Sequence, residues 1–165
     1  MSPDPVQLLL DRAAVSEVVI RYARSLDVQD WVLCRSCFTE TLAQDYSDFR
    51  GEPPSRIQAD AFVALRREAL TGIKTHHLST NHAVTIVGDR ALCISALVIF
   101  RYLPDGGSDN EFDTHGFYTH GLLRTPDGWK IDTVKQAVLW SKGNSQIHGF
   151  HRARNDSAGT GGAAA

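Results

Sequence analysis

The order of the predicted elements, helices first and strands last, constrains the fold of this chain most strongly. Two helical segments precede a short extended piece at residues 42–49, and a third helix is predicted from about residue 58 to residue 70. Four segments rich in β-branched and aromatic residues follow, separated by glycine-containing turns, at residues 77–87, 91–102, 111–124 and 129–140. Helices grouped before an antiparallel meander predict an α+β domain in which a curved sheet packs on, or wraps around, the helices.

Length and composition favour a single domain. The chain has 165 residues, of which 42% are hydrophobic. This is enough to form one hydrophobic core, but the chain is too short for two domains of typical size. We expect this domain to cover residues 1–144. Residues 145–165 form a C-terminal extension whose Gly/Ala-rich end cannot support a packed core, so we predict disorder there.

Charge and hydropathy argue against two classes of partner. The 17 basic and 19 acidic residues give a net charge of -2, and no basic patch is interleaved with aromatic residues, so nucleic acid is not an expected partner. The longest strongly apolar run, residues 91–100, is about half of what a membrane span needs. The N-terminus lacks the order of a signal peptide, so we expect a cytoplasmic protein that does not bind membranes.

The first helix carries an acidic residue on its apolar face. Its apolar positions recur at helical spacing, namely Val15, Val18, Val19, Tyr22 and Leu26. If the helix persists through Asp27, that carboxylate projects into the interior, where desolvation raises its pKa unless a partner such as a histidine stabilises the charge. Alternatively, the helix ends at Leu26 and Asp27 is a solvated cap for the helix that begins near Asp30.

The cysteines do not indicate redox or zinc chemistry. Three cysteines are too few for a disulfide framework, and no second cysteine pair accompanies Cys34-x-x-Cys37. This pair falls within a predicted helix at residues 30–38, where the i, i+3 spacing places two small apolar residues on one face. We interpret both residues as parts of the core.

Histidines are the remaining chemical resource. The first long strand carries His76, His77 and His82, and the third carries His115 and His120. A metal site is disfavoured because the chain has no H-E-x-x-H helix, and we expect neither a metal nor a cofactor. A neutral core histidine remains the alternative for each of these residues.

Several motifs, taken together in their order, resemble SnoaL-like proteins of the nuclear transport factor 2-like superfamily. The resemblance covers residues 6–144. Its motifs are Tyr22-x4-Asp27, Asp30-Trp31, His77-x3-Asn81, Gly88-Asp89, Gly116-Phe117-Tyr118 and the segment from Arg124 to Ile131 that contains Gly128-Trp129.

This resemblance implies a cone-shaped α+β barrel with N-terminal helices packed on a curved, mainly antiparallel sheet. The chain is most similar to the branch that contains scytalone dehydratase, bile-acid 7α-dehydratase and hexachlorocyclohexane dehydrochlorinase. In that branch an aspartate near the end of the first helix orients a histidine that removes a proton. Asp27 and His77 match those positions, and Tyr22 matches a tyrosine that the dehydratases add.

The residue chemistry agrees with this function. An imidazole held by a carboxylate is a suitable base for elimination next to a carbonyl, and a tyrosine hydroxyl can polarise the carbonyl or protonate the leaving oxygen. We therefore predict a cofactor-independent dehydratase acting on a small hydrophobic polycyclic, polyketide, terpenoid or steroid-like substrate. A cyclase or double-bond isomerase with the same residues is the enzymatic alternative, and a non-catalytic ligand-binding module is the alternative of another class.

Further residues are predicted to bind substrate, but the sequence leaves their orientation open. Tyr46 and His120 are proposed by position along the chain, together with Asn81, Tyr118 and Trp140. Side chains alternate faces along a strand, so a shift of one residue would place His76 in the cavity in place of His77. Tyr118 and His120 share a face, which the sequence does not assign to the inside, and Trp140 is alternatively a core residue.

The resemblance also implies self-association. Exposed sheet surface in this superfamily is usually covered by another copy, so we expect a homodimer or a homotrimer.

Overall fold

The structure, a computed structural model, describes residues 4–104 and 106–149. Within these residues it confirms the α+β class, because helices precede a single six-stranded sheet. The helices are α1 (Pro5–Asp27), α2 (Trp31–Ser36), α3 (Ser47–Arg50) and α4 (Ala59–Ala69), with a 3-10 turn at Ser145–Ile147. The strands are β1 (Phe38–Asp45), β2 (Ser55–Gln58), β3 (Lys74–Val87), β4 (Arg90–Tyr102), β5 (Phe112–Thr125) and β6 (Gly128–Gly143).

The sheet is open and mainly antiparallel. Its strand order is β2-β1-β6-β5-β4-β3, and β1 runs parallel to β6 while every other neighbouring pair is antiparallel. The four long strands form the predicted meander. Helix α1 packs against β3, β4 and β6, so the inner face of the sheet and one face of α1 share the core.

Helix α1 extends through Asp27. The Asp4 carboxylate accepts a hydrogen bond from the Val6 N–H, and Pro5 occupies the first turn, where its missing N–H costs nothing. At the other end Asp27 is the last helical residue, and Asp30 is the cap of α2, accepting from the Leu33 N–H. The alternative that the helix ends at Leu26 is therefore wrong.

The segment between α2 and α4 differs from the prediction. The sequence pattern placed a helix at residues 30–38 and an extended piece at residues 42–49, whereas β1 already begins at Phe38 and residues 47–50 are helical. Strand β2 was not predicted. Along β1 and β2 most side chains are half-buried or exposed, so neither strand has the clear alternation by which a strand is recognised in sequence.

Irregularities in the sheet decide which side chains face inward. Asn81 and His82 lie together opposite Ser95, forming a bulge between β3 and β4. Strand β6 skips a residue at Asp132 and another at Leu139. Because each bulge shifts the alternation of faces, the inward positions of β6 change along its length.

An ion pair between Arg124, which is partly exposed, and Asp11, which is buried, attaches α1 to the β5–β6 hairpin. The Arg124 guanidinium donates to both oxygens of Asp11, at 2.7 and 2.8 Å, and the Trp129 indole N–H donates to the same carboxylate at 3.2 Å. The guanidinium also lies 4.4 Å from the centre of the Trp129 ring. The hydrogen bonds from Arg124 are the main reason that the pKa of Asp11 falls to about 2, with Trp129 adding to the effect.

We expect Asp11→Ala to lower the free energy of unfolding by about 1–3 kcal/mol, because Arg124 and the Trp129 N–H lose their acceptor. Since the folded pKa of Asp11 lies below its ordinary value of 3.8, this contribution is complete above about pH 4 and disappears as the pH falls toward 2. Urea unfolding at pH 7 and pH 3 checks both statements. Glu17→Ala, on the exposed face of α1, is the matched control; equal stability of the two variants at pH 7 would contradict the role of Asp11.

The end of the described chain packs on the domain. Ile147 and His148 are buried, so residues 145–149 of the predicted extension contact the core, while the disorder predicted for its end lies outside the described residues. No helix in the described part of the chain combines the length and apolar character needed to span a membrane.

Candidate active site

Asp27 and His77 contact each other at the centre of the site. The His77 ring nitrogen Nδ1 lies 2.5 Å from Oδ1 of Asp27, and the His77 backbone N–H donates to Oδ2 at 2.9 Å. The Thr75 hydroxyl donates to Oδ1 at 2.9 Å. Three groups of β3 thus hold the carboxylate at the end of α1 in one orientation.

The alternation of β3 selects His77 rather than His76. The His77 side chain is 4% exposed and lies on the face that packs against α1, whereas His76 is exposed, its ring centre 6.3 Å from that of Phe100. Because Nδ1 faces Asp27, Nε2 is the ring nitrogen that remains for a substrate. The sequence had left the choice between the two histidines open.

Burial and hydrogen bonding have opposite effects on the pKa of His77 and on the pKa of Asp27. Burial lowers the pKa of His77 below its ordinary value of 6.5, although Asp27 acts to raise it. Burial would raise the pKa of Asp27, but the hydrogen bonds from His77 and Thr75 outweigh it and lower the pKa below 3.8. At neutral pH the pair therefore consists of a carboxylate and a neutral imidazole, which is the form that a general base requires.

The inner face of the sheet, α1 and α4 line a small, partly open cavity beside His77. Its volume is about 30 Å³, and its polar lining includes His77, Tyr22, Tyr46, Tyr118, Arg66 and Arg101. The hydroxyl of Tyr22 is buried and has no hydrogen-bond partner in the described residues. Burial raises the pKa of Tyr22 well above 10, so this phenol stays protonated and can donate to a ligand.

Comparison with known proteins agrees with this architecture. The SnoaL-like domain family matches residues 7–135. The chain belongs to the SnoaL-like family. No curated protein matches its sequence.

Solved structures of similar proteins show the same fold. The Kfla4162 protein from Kribbella flavida is 30% identical, with a TM-score of 0.80 over 85% of this chain and 97% of that one. A candidate scytalone dehydratase from Novosphingobium aromaticivorans is 15% identical, with a TM-score of 0.72 over 82% and 89% of the two chains. Hexachlorocyclohexane dehydrochlorinase LinA-type3 from Novosphingobium barchaimii is 16% identical, with a TM-score of 0.72 over 88% and 97%. The last two likenesses concern the fold alone.

The structure places the other predicted residues of this SnoaL-like protein at different depths. Tyr46 and Tyr118 line the cavity. His120 lies deeper, between the rings of Tyr22 and Tyr118, and burial lowers its pKa to about 3. Tyr118 and His120 are therefore both on the inner face of β5, and Phe117 is on the outer face. The sequence did not say which of these two faces is the inner one.

Two predicted substrate-binding residues do not reach the cavity. Asn81 is exposed in the β3 bulge, where its φ of 55° suits asparagine better than most residues. Trp140 is 57% exposed and stacks on His115 on the outer face of the sheet. The bulge at Leu139 explains this orientation. It shifts the alternation of β6 by one residue, so that Trp140, which would otherwise follow Gln136 and Val138 on the inner face, points outward. We leave both residues out of the proposed site.

The sequence analysis missed two buried arginines that line the cavity. Arg66 occupies the buried face of α4 with Phe62, Val63 and Ala69, and Arg101 continues the inward alternation of β4 after Ile99. The sequence contains a signal that could have identified them. An arginine at an apolar position of a periodic pattern is as unusual as an aspartate at such a position.

Metal-ligating side chains do not converge in this structure. Among residues 4–104 and 106–149, no group of three or more His, Cys, Asp or Glu side chains is placed to hold a metal ion. Cys34 and Cys37 are both buried, as expected for core residues.

Proposed function

We propose that this protein is a cofactor-independent lyase that dehydrates a small hydrophobic substrate by proton abstraction. The observation that carries the proposal is the contact between the Asp27 carboxylate and His77 Nδ1 at the wall of a partly open cavity. A buried imidazole, neutral at pH 7 and held in one tautomer by a carboxylate, is suited to removing a proton from carbon. The dehydratases and dehydrochlorinases among proteins of this fold make elimination the leading reaction.

In the proposed step, Nε2 of His77 takes the proton from a carbon next to a carbonyl group. The electron pair of the broken C–H bond forms the new C=C bond, and the C–O bond to the β-hydroxyl breaks. The leaving oxygen takes a proton from the Tyr22 hydroxyl or from the His77 imidazolium and departs as water; if Tyr22 gives the proton, it recovers one from the imidazolium. Asp27 stabilises the imidazolium, and the Tyr22 hydroxyl donates to the carbonyl oxygen or to the leaving oxygen, a contact worth about two to four orders of magnitude in rate.

The cavity limits how such a substrate binds. Its volume of about 30 Å³ is close to that of one water molecule. A polycyclic, polyketide, terpenoid or steroid-like molecule therefore requires lining side chains to move when it enters. His148, from the C-terminal segment, is one of the lining side chains that would move to make room for the substrate.

The proposal is tested by incubating the protein in D₂O with a panel of β-hydroxylated polycyclic ketones and measuring products by mass spectrometry. Dehydration removes one water from the substrate. A double-bond isomerase incorporates deuterium without that loss. Binding of panel members by calorimetry, with neither exchange nor water loss, would favour the ligand-binding module and overturn the proposal.

The pH profile of kcat/KM is expected to report His77. Because burial lowers the pKa of His77, the neutral base persists below pH 6.5, and activity should fall on the acidic side only at pH values below that. Rates measured from pH 4 to pH 9 check this. An acidic limb centred above pH 6.5 would show that another group, or a His77 stabilised as the cation, controls the reaction.

We infer that the outer face of the sheet mediates self-association as a dimer or trimer. Large apolar side chains are exposed there, among them Ile94, Phe100, Phe117 and Trp140. Light scattering at micromolar concentration should give a mass above that of the 18.2 kDa chain. Phe117→Glu should lower that mass toward the monomer, because a carboxylate in the interface would be desolvated. A monomeric wild-type protein would contradict this inference.

A further inference from the structure

Two guanidinium groups lie at the same cavity as His77. Arg66, on α4, is 9% exposed, and Arg101, on β4, is 4% exposed. Both side chains line the cavity, together with His77 and three tyrosines. Arginines are rarely buried to this extent unless they are paired with an anion.

Arg101 is only partly satisfied by the protein. Its Nη1 donates to the Thr114 hydroxyl at 2.9 Å and, at 3.5 Å, to the Phe112 carbonyl. Its guanidinium lies over the Phe49 and Phe112 rings, and its buried Nε has no partner in the described residues. Asp113 acts to raise the pKa of Arg101, but the two residues form no ion pair in the described chain.

Arg66 has still fewer polar contacts. Its guanidinium lies 4.9 Å from the centres of both the Tyr46 and Phe62 rings. Among the described residues it has no ion pair or hydrogen bond, and its Nε is buried without a partner. Stacking on aromatic rings orients the group but does not replace the hydrogen bond that its buried Nε–H lost when it left water.

The charge balance of the cavity is therefore positive. Burial lowers the pKa of Arg101 to about 10, with Arg66 contributing in the same direction, so Arg101 keeps its charge at pH 7. No described residue that lines the cavity is acidic, and the carboxylate of Asp27, behind His77, is already in contact with that histidine. A carboxylate brought by a ligand would supply the missing acceptors, because its oxygens accept from guanidinium N–H groups in a fixed planar geometry.

We propose that Arg66 and Arg101 form a binding site for a carboxylate group, and that the substrate is a hydrophobic organic acid anchored by that carboxylate. This assignment of the substrate rests on the proposed function, because His77 defines the reacting end of the cavity. The carboxylate sits on the arginines, and the apolar body and its acidic C–H lie toward His77. Uncharged analogues leave the two guanidinium groups unpaired and bind weakly.

Small probes test the site without knowledge of the substrate. Isothermal titration calorimetry of the whole protein should detect benzoate and not benzamide, which has nearly the same shape without the charge. Arg66→Gln and Arg101→Gln should each weaken benzoate binding by about tenfold or more, since truncating a buried charge partner has effects of that size. Arg67→Gln, one residue further along α4 and exposed, is the matched control and should bind like the wild type.

A second variant keeps the test decisive if one glutamine variant folds poorly. Arg66→Met removes an unpaired buried charge while keeping an apolar stem, so the ligand-free variant should melt at a higher temperature than the wild type and lose the rise in Tm that benzoate produces. A lower Tm would show that Arg66 is a structural residue, and an unchanged response to benzoate would also overturn the proposal.

Different results would contradict the carboxylate site and the proposed dehydratase activity. His77→Ala should retain benzoate binding whatever reaction the protein catalyses, because His77 does not pair with the carboxylate. Water loss from neutral ketones at the same kcat/KM as from the matched acids would contradict the carboxylate site and leave the dehydratase intact. Benzoate binding that depends on Arg66, without elimination from either the neutral ketones or the matched acids, would leave the site and remove the dehydratase.

Discussion

Replacing His77 by alanine is expected to reduce kcat by about three orders of magnitude or more, because the variant lacks the Nε2 that takes the substrate proton in the proposed step. The Asp27 carboxylate, with its lowered pKa, is a much weaker base than an imidazole and would not replace it. Single-turnover rates of the wild type and the variant give the effect on the chemical step directly. The variant should fold, since the substitution removes a side chain next to an existing cavity.

The neighbouring histidine provides a matched control for this substitution. His76 lies on the same strand but is exposed, so His76→Ala should keep near-normal turnover. The opposite result, an inactive His76→Ala and an active His77→Ala, would mean that the alternation of β3 in solution is reversed.

Asp27→Asn is expected to lower kcat by about two to four orders of magnitude while leaving the fold intact. The amide is isosteric, but it carries no charge to stabilise the imidazolium, and its NH₂ group can favour the wrong tautomer of His77. Circular dichroism and thermal melting check the fold, and product formation checks the rate. The loss should lie mainly in kcat, because Asp27 acts on the charge that develops during the reaction.

Asp30, three residues after Asp27, provides a control for the loss of one negative charge. It tests whether the effect of Asp27→Asn depends on the position of the charge. Asp30 caps α2, and asparagine is an equally good cap, so Asp30→Asn should change neither stability nor rate appreciably. Near-normal turnover of Asp27→Asn would remove Asp27 from the mechanism and leave it as a residue that joins α1 to β3.

The sequence predicted the parts of the fold that depend on strong periodic patterns. The helical spacing from Val15 to Leu26 and the meander of four long strands agree with α1 and with β3 to β6. The predicted extended piece at residues 42–49 overlaps β1 only at residues 42–45. The start of β1 could not be predicted because it lies beside β6 through a parallel contact distant in sequence, and its side chains are mostly half-buried. Local pattern contains no information about such a partner.

The candidate site was predictable where burial contradicts residue type. Asp27 was recognised as an acid on an apolar face, and the same argument applied to α4 and β4 would have identified Arg66 and Arg101. Trp140 was misplaced because bulges change which residues of a strand face inward, and a bulge is not visible in the alternation that it interrupts. The depth of His120, two residues beyond Tyr118, likewise depends on tertiary packing.

The central claim is that Asp27 holds His77 with a proton on Nδ1 and a free electron pair on Nε2. Nitrogen-15 NMR of histidine-labelled protein at pH 7, with the His77 signal assigned by its absence in His77→Ala, measures this directly. The account predicts a neutral ring with Nδ1 protonated, which becomes an imidazolium only below pH 6.5. A ring that is protonated on Nε2 alone, or one already cationic at pH 7, would contradict it, because neither form leaves His77 able to accept a proton from a substrate in the cavity.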